Sequence, residues 1–329
     1  MKDELLDSYE SAAMGAKLSK IGFLAKHGGM INKRLKELVD KEECSIMDVE
    51  SQSAALSAAI AAEACGKRAF LSLDSISSAR EFLTASYMRL PIVAVLSDIT
   101  AARDLGWLVF LPENNQEILD TVIQAYRICE DNKVLLPAII KVDFPIRENI
   151  LPPSEKSVSN FLPKLRLKTK LDPHNPTLLN TDGDFRNQQQ KAMENALKVM
   201  ETVNEKWKTK FKRLCPTVEE YFPESDYLLV VSGSDSPTAK AAVNKLREQG
   251  ESIGLVRIRS LRPFPDMKVL EGKKIAVIDR DISLGSTGII HSELGYSNYI
   301  SKRPINEKDV FDIYNRLKTA EKEENVWIL

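Results

Sequence analysis

The side chains of this chain that can carry chemistry are few and widely spaced. There are three histidines, His27, His174 and His291. No two of them stand at i, i+4 and no H-E-x-x-H run occurs, which argues against a zinc hydrolase. His27 adjoins Gly28-Gly29 and reads as an exposed loop residue before it reads as one facing a ligand. A G-x-S-x-G elbow is absent, so a Ser–His–Asp triad has no support. Neither G-x-G-x-x-G nor G-x-x-x-x-G-K-[ST] occurs, which weakens nicotinamide and P-loop readings. Thr181-Asp182-Gly183-Asp184 offers acidic oxygens but lacks the ligand spacing and closing glutamate of an EF-hand, and reads as a solvated turn. Gly233-Ser234-Asp235-Ser236-Pro237 opens a helix whose terminal N–H groups can hold an anion. Serine and aspartate are ordinary caps, so a capped turn without a ligand is the simpler reading. Glu50-Ser51-Gln52-Ser53 sets a carboxylate and an amide two residues apart at the entrance to an Ala-rich helix. The amide can donate and accept hydrogen bonds; it cannot exchange a proton.

The bulk properties narrow the class. A chain of 329 residues has the length of two domains, each able to bury a core. Its 46 basic and 47 acidic side chains nearly cancel, so no overall basic excess points to a nucleic-acid partner. No apolar run approaches the roughly 20 residues that span a bilayer. Met1-Lys2-Asp3-Glu4 lacks the basic-then-apolar order of a signal peptide. Cys44, Cys65, Cys129 and Cys215 form no C-x-x-C pair. That argues against a disulfide framework, and against a zinc or iron–sulfur site within this chain. Reduced, buried thiols fit a cytoplasmic location.

The elements that must position these residues follow from pattern. From Leu5 to about Pro145 helices alternate with short apolar strands. Asp7 and Ser8 can cap a helix over about Tyr9–Lys20. Gly28-Gly29 breaks the chain before a helix at about Ile31–Asp40. Ser51–Cys65 is a small-residue helix closed by Gly66. Ala69–Leu73, Pro91–Ser97 and Leu136–Asp143 are continuous apolar runs, as buried parallel strands are. Helices at about Ser77–Met88 and Asn115–Cys129 lie between them, making a doubly wound α/β domain.

Beyond Pro145, Pro152-Pro153, Pro163, Pro173 and Pro176 interrupt a polar stretch carrying Lys164, Arg166, Lys168 and Lys170, which reads as an extended connection. A long amphipathic helix over about Gln188–Arg213 follows, with Ala192, Ala196, Val199, Val203 and Trp207 on one stripe. It reads as a surface or subunit-docking helix. A second α/β domain begins at Asp226, with strands at Tyr227–Ser232, Ile253–Ile258 and Lys274–Ile278 and a closing helix at Asn306–Lys322.

Glu50-Ser51-Gln52-Ser53-Ala54-Ala55 resembles the Glu-Ser-Glu-His-Ala-Ala segment of the alpha subunits of 2-oxoacid:ferredoxin oxidoreductases, the pyruvate:ferredoxin oxidoreductase family. Other segments follow in the family's order. Glu10-Ser11-Ala12-Ala13 is similar to its opening Asn-Glu-Ala-Val-Ala helix, and Ala54 to Arg68 to its Ala-rich helix. Arg89-Leu90-Pro91-Ile92-Val93 matches Arg-Leu-Pro-Ile-Val. Arg103-Asp104-Leu105-Gly106-Trp107 resembles Arg-Asp-Thr-Gly-Trp. Leu261-Arg262-Pro263-Phe264-Pro265 and Asp279 to Gly285 continue the match. The order over nearly the whole chain identifies it as a divergent member of the family.

The resemblance implies a thiamine-diphosphate-binding, pyrimidine-type domain at 1–150, a linker and long helix at 151–225, and a transketolase C-terminal-like α/β domain at 226–329. It implies an alpha subunit acting with beta, gamma and/or delta chains, passing electrons to ferredoxin through the complex. The diphosphate and magnesium would lie on a beta chain and the iron–sulfur clusters on partner chains, with no metal on this one. It also implies CoA-dependent oxidative decarboxylation of a 2-oxoacid. In the family the second glutamate of the segment shares a proton with the cofactor's aminopyrimidine ring. Gln52 stands at that position, with Glu50 and Gln52 as the implied cofactor contacts and Arg103 as the implied substrate contact.

Departures from the family cluster at the same place. The Tyr-Pro-Ile-Thr-Pro loop, which contacts the 2-oxoacid, falls near Phe23–Gly29, where there is neither threonine nor proline. Ser72-Leu73-Asp74-Ser75-Ile76-Ser77 replaces Thr-Ser-x-Gly-Leu. Ser97-Asp98-Ile99-Thr100-Ala101-Ala102 bridges a gap where the family carries a carboxylate-gripping arginine. Glu50 is a poor substitute for the acid, since a two-residue offset at a strand end moves a side chain about 6–7 Å. No catalytic residue is therefore assigned, and this chain alone is expected to be inactive by the glutamate route. The alternative reading is a non-catalytic structural or regulatory paralogue.

Overall fold

Asp7 begins the first helix by a reciprocal cap: its carboxylate accepts from Glu10 N at 2.8 Å, and its own N–H donates to Glu10 Oε2 at 3.0 Å. The computed structural model describes residues 3–27, 43–73, 75–76, 79–142, 146–167 and 185–328. Several expected features lie outside these residues: the Gly28-Gly29 break, the helix at 31–40, Asp74, Ser77, Asp143, Pro145, His174, the 181–184 turn, Lys168, Lys170, Pro173 and Pro176. The chain forms two units, Met1–Cys215 and Pro216–Leu329.

In the first unit, β1 (Glu4–Leu6) pairs antiparallel with β8 (Glu148–Ile150) beside the main sheet. That sheet contains β2 (Phe23–Lys26), β3 (Ser45–Asp48), β4 (Ala69–Ser72), β5 (Val93–Leu96), β6 (Leu108–Phe110) and β7 (Ala138–Lys141). They run in the order β6-β7-β5-β4-β2-β3, and every described pairing among them is parallel. β4, β5 and β7 are buried along their whole length, as continuous apolar runs covered on both faces must be.

The helices of this unit are α1 (Ser8–Leu18), α2 (Gln52–Ala64), α3 (Ala79–Tyr87), α4 (Asn115–Cys129), α5 (Glu155–Phe161) and α6 (Phe185–Phe211). α1 lies close against α4. A Cβ built on Gly15 would stand 2.8 Å from both Leu119 O and Val122 Cβ, so only glycine permits this approach.

The long helix carries the single buried stripe expected of a surface helix, and what covers that stripe is its own unit. Ala192, Ala196, Met200, Val203 and Trp207 of α6 are buried in the first unit's own core, with Ile118, Val122 and Phe161. Trp207 and Phe161 meet edge to face, their centroids 5.0 Å apart. The stripe is consumed inside the unit, at roughly 1.5–3 kcal/mol for each large apolar side chain, and so is not free for a partner subunit. The 151–225 stretch is thus shared between the two units: α5 and α6 belong to the first, and residues 216–225 to the second.

The second unit contains β9 (Val218–Tyr221), β10 (Tyr227–Ser232), β11 (Ile253–Ile258), β12 (Ser260–Arg262), β13 (Lys274–Asp279), β14 (Ser297–Ser301) and β15 (Asn325–Ile328). Its sheet has the order β15-β14-β13-β10-β11-β9, parallel except for β9. Helices α7 (Ser236–Glu248), α8 (His291–Leu294) and α9 (Glu307–Thr319) complete it. Its core packs Leu229, Val231, Leu255 and Ile278 against Val243, Ile313 and Tyr314. Both units are α/β, as expected.

Candidate functional site

The strand order of the first unit decides where a ligand would lie. From β2 the chain goes to β3 on one side; from β4 it goes through α3 to β5 on the other. The carboxyl ends of β2 and β4 therefore flank a topological switch point, the place where open α/β sheets take ligands.

Lys26 ends β2 and Ser72 ends β4, opposite one another in register. Lys26 is also opposite Asp48 of β3, and Nζ lies 2.9 Å from Asp48 Oδ2. Lys26 keeps only 13% of its side chain exposed, whereas Asp48 keeps 59%. His27 follows, with Nδ1 3.0 Å from Val49 O. That carbonyl can only accept, so Nδ1 carries the proton and the bond ties the loop after β2 to the loop after β3.

The Glu50–Ser53 segment enters here. Ser51 is extended (φ −147°, ψ 155°) and its side chain accepts from Ala54 N at 3.1 Å, capping α2. Gln52 is consequently the first helical residue, half-buried, at the same carboxyl edge as Lys26, His27 and Ser72. Ser53 Oγ donates to Glu81 Oε1 at 2.8 Å, linking α2 to α3. Glu50 is exposed.

Arg103 stands apart from this group, in the loop after β5. Its Nη2 lies 3.0 Å from Asp104 Oδ2 and its Nε 3.2 Å from Oδ1. An exposed pair of this kind contributes about 0.2–1 kcal/mol. The anchoring part of the Arg103–Trp107 segment is its other end. Trp107 is fully buried and donates Nε1–H to Phe82 O at 2.8 Å, with its rings 5.0 Å from Phe82. Gly106 sits at φ +73°, where a side chain would be strained, against Ser86 and Gln189.

Glu50 and Gln52 are thus placed at one edge with Lys26, His27, Asp48 and Ser72. Sequence reasoning missed Lys26, Asp48 and Glu81; for the first two, the only signal was their position at a strand end. Among the described residues no cluster of His, Cys, Asp and Glu could hold a metal ion. None of the described helices is long and apolar enough to cross a membrane.

Residues 84–212 match the family described as pyruvate flavodoxin/ferredoxin oxidoreductase, thiamine diphosphate-binding, and residues 225–319 match pyruvate:ferredoxin oxidoreductase core domain II. The pyruvate synthase subunit PorA of Methanocaldococcus jannaschii is 34% identical over an alignment covering 99% of this chain and 97% of that protein. The chain belongs to the pyruvate:ferredoxin oxidoreductase alpha-subunit family. Among solved structures, the 2-oxoglutarate:ferredoxin oxidoreductase of Magnetococcus marinus superimposes with a TM-score of 0.72 at 13% identity, over 96% of this chain and 65% of that one. Transketolase of Campylobacter jejuni gives a TM-score of 0.53 at 12% identity, over 95% of this chain and 45% of that one. These likenesses agree with the thiamine-diphosphate-binding α/β fold expected for an alpha subunit.

The residues of this alpha-type chain fit one part of that cofactor's needs and not another. The Gln52 amide suits a hydrogen bond to a ring nitrogen. It does not suit proton exchange, and the carboxylates around it do not make up the difference. Asp48 is engaged by Lys26, Glu81 by Ser53, and Glu50 lies exposed two residues earlier. Activation by the family's glutamate route has no donor at this position.

Proposed function

We propose that this chain serves as the alpha subunit of a pyruvate-type 2-oxoacid:ferredoxin oxidoreductase. Its first unit would form the pyrimidine-side wall of a thiamine diphosphate site shared with a beta chain, and its second unit the transketolase-like domain. Gln52 and Glu50 would face the cofactor and Arg103 the substrate. Beta, gamma and/or delta chains would bring the diphosphate and magnesium site, the iron–sulfur clusters and the path to ferredoxin, in the cytoplasm. The complex would convert a 2-oxoacid and coenzyme A to an acyl-CoA and carbon dioxide, with two electrons passing to ferredoxin. The observation that carries this reading is the Glu50–Gln52 segment, after β3 at the carboxyl edge beside the switch point, in a chain 34% identical to a PorA subunit over 99% of its length.

A second reading is favoured by Gln52 itself. With an amide at the acid's position, the chain fits a non-catalytic structural or regulatory paralogue within such a complex. Purifying the chain from its own cells, identifying its partners and assaying 2-oxoacid-dependent ferredoxin reduction separates the two. Turnover with beta and iron–sulfur chains and no second alpha chain supports the first. Partners without turnover, or an accompanying alpha chain with glutamate at this position, supports the second; no such partners at all would overturn both.

A further inference from the structure

The amino edge of the first unit's sheet, opposite Gln52, carries a cleft of about 510 Å³ bounded by the last turns of α4 and α5 and the last third of α6. Arg127, Lys206 and Lys210 line it, with Glu205 as its one acid. Phe161, buried, and Pro163 give it an apolar wall.

Among the described residues none of the three cations has a carboxylate within ion-pair distance. Neither Arg127 nor Lys206 has a hydrogen bond among these residues either. Glu130, just past the end of α4, feels the Arg127 charge, but both of its oxygens are held by Arg68. Lys210 Nζ lies 6.0 Å from the centre of the Phe211 ring. Cations in the last turns of α4 and α6 favour those helix ends through the macrodipole. That effect does not account for three of them, from two helices, bordering one concavity with an aromatic wall.

Charge and size together select a ligand class. Three cations against one carboxylate leave two positive charges, and a phosphomonoester carries about −1.5 to −2 at pH 7. An arginine fork beside two lysines suits phosphate oxygens. The volume lies within the roughly 300–1,000 Å³ of small-molecule sites, leaving room for a ring system against Phe161. We infer that this cleft binds a nucleoside monophosphate or a similarly sized aromatic phosphomonoester, remote from the thiamine-type edge and independent of whether that edge is active.

The test is calorimetric titration of the full chain with AMP, adenosine and inorganic phosphate, each at low and at 0.3 M salt. AMP should bind one to one, at least tenfold tighter than either fragment, and lose affinity in the higher salt. Arg127→Gln and Lys206→Glu should each weaken AMP at least tenfold with the melting temperature unchanged. Absence of AMP binding, equal binding by both variants, or phosphate binding as tightly as AMP would each overturn the proposal. Should one variant unfold, the other still decides the outcome.

Discussion

Ser53 Oγ donates to Glu81 Oε1 at 2.8 Å, so the carboxylate of α3 is held beside the turn of α2 that carries Gln52. The acid is engaged where it stands and is no substitute at position 52. Gln52→Glu in the assembled complex supplies the missing group directly. A proton-transfer partner is ordinarily worth about 10²–10⁴-fold in rate. The substrate loop and the carboxylate-gripping arginine also differ from the family pattern, so the expected gain in ferredoxin reduction is below about tenfold. A larger rise would show that Gln52 was the only obstacle.

Gly106 places a strict demand on the loop that presents Arg103. At φ +73° it occupies the left-handed region, and an added Cβ would run into Ser86 and Gln189. Gly106→Ala should cost about 1–3 kcal/mol from the backbone alone, with the crowding of Gln189 added to it. Urea unfolding monitored by tryptophan fluorescence reads this directly, because Trp107 is the next residue. A midpoint equal to that of the native chain would show that the loop relaxes freely.

Arg68, just before β4, ties together three helices of the first unit. It binds both Glu130 oxygens at the end of α4, donates to Ser19 O after α1 at 2.8 Å and to Pro163 O after α5, and lies over the Tyr126 ring. Arg68 is 9% exposed and Glu130 6%. Removing the cation alone leaves a buried carboxylate without its partner, a loss of about 3–5 kcal/mol. Arg68→Met should therefore destabilise by that amount, and adding Glu130→Gln should recover a substantial part of it. A double-mutant cycle with no coupling would remove the ion pair from the account of this corner.

The sequence pattern and the structure part company in an instructive way. β4, β5, β7, β10, β11 and β13 stand out as uninterrupted apolar runs because both of their faces are covered. β3 does not: it is an edge strand whose Ser45, Met47 and Asp48 are exposed, and such a strand has no reason to be continuously apolar. β2 and β6 are no shorter in kind, since β4, β5 and β7 are also only four residues long; Phe23–Ala25 and Leu108–Phe110 are equally buried and apolar, so the pattern offers no ground for passing them over. The stripe on α6 is visible by its spacing, yet spacing reveals that a face is buried and not what covers it. At the site, Gln52 is legible through its neighbours in the segment. The Lys26–Asp48 pair is not, because it exists only once β2 and β3 are in register.

Glu63 gives the chain a pH dependence whose sign can be worked out. It is fully buried near the end of α2, where Oε2 accepts from Ala69 N at 2.7 Å and Oε1 has no hydrogen-bond partner among the described residues. Burial raises its carboxyl well above the ordinary glutamate range, opposed by the Ala69 bond and by Arg68, and reinforced by Glu130. The folded chain thus holds a proton that the unfolded chain releases near pH 4.3. This favours the folded state fully below that pH, and the advantage fades as pH rises toward the folded value. Glu63→Gln keeps an acceptor for Ala69 N and cannot ionise. Its melting temperature, relative to the native chain, should therefore climb from pH 5 to pH 8, whereas Glu63→Ala, which strands the Ala69 N–H, should lose about 1–3 kcal/mol. A Gln variant whose relative stability stays flat across that range would show that Glu63 is ionised in the fold.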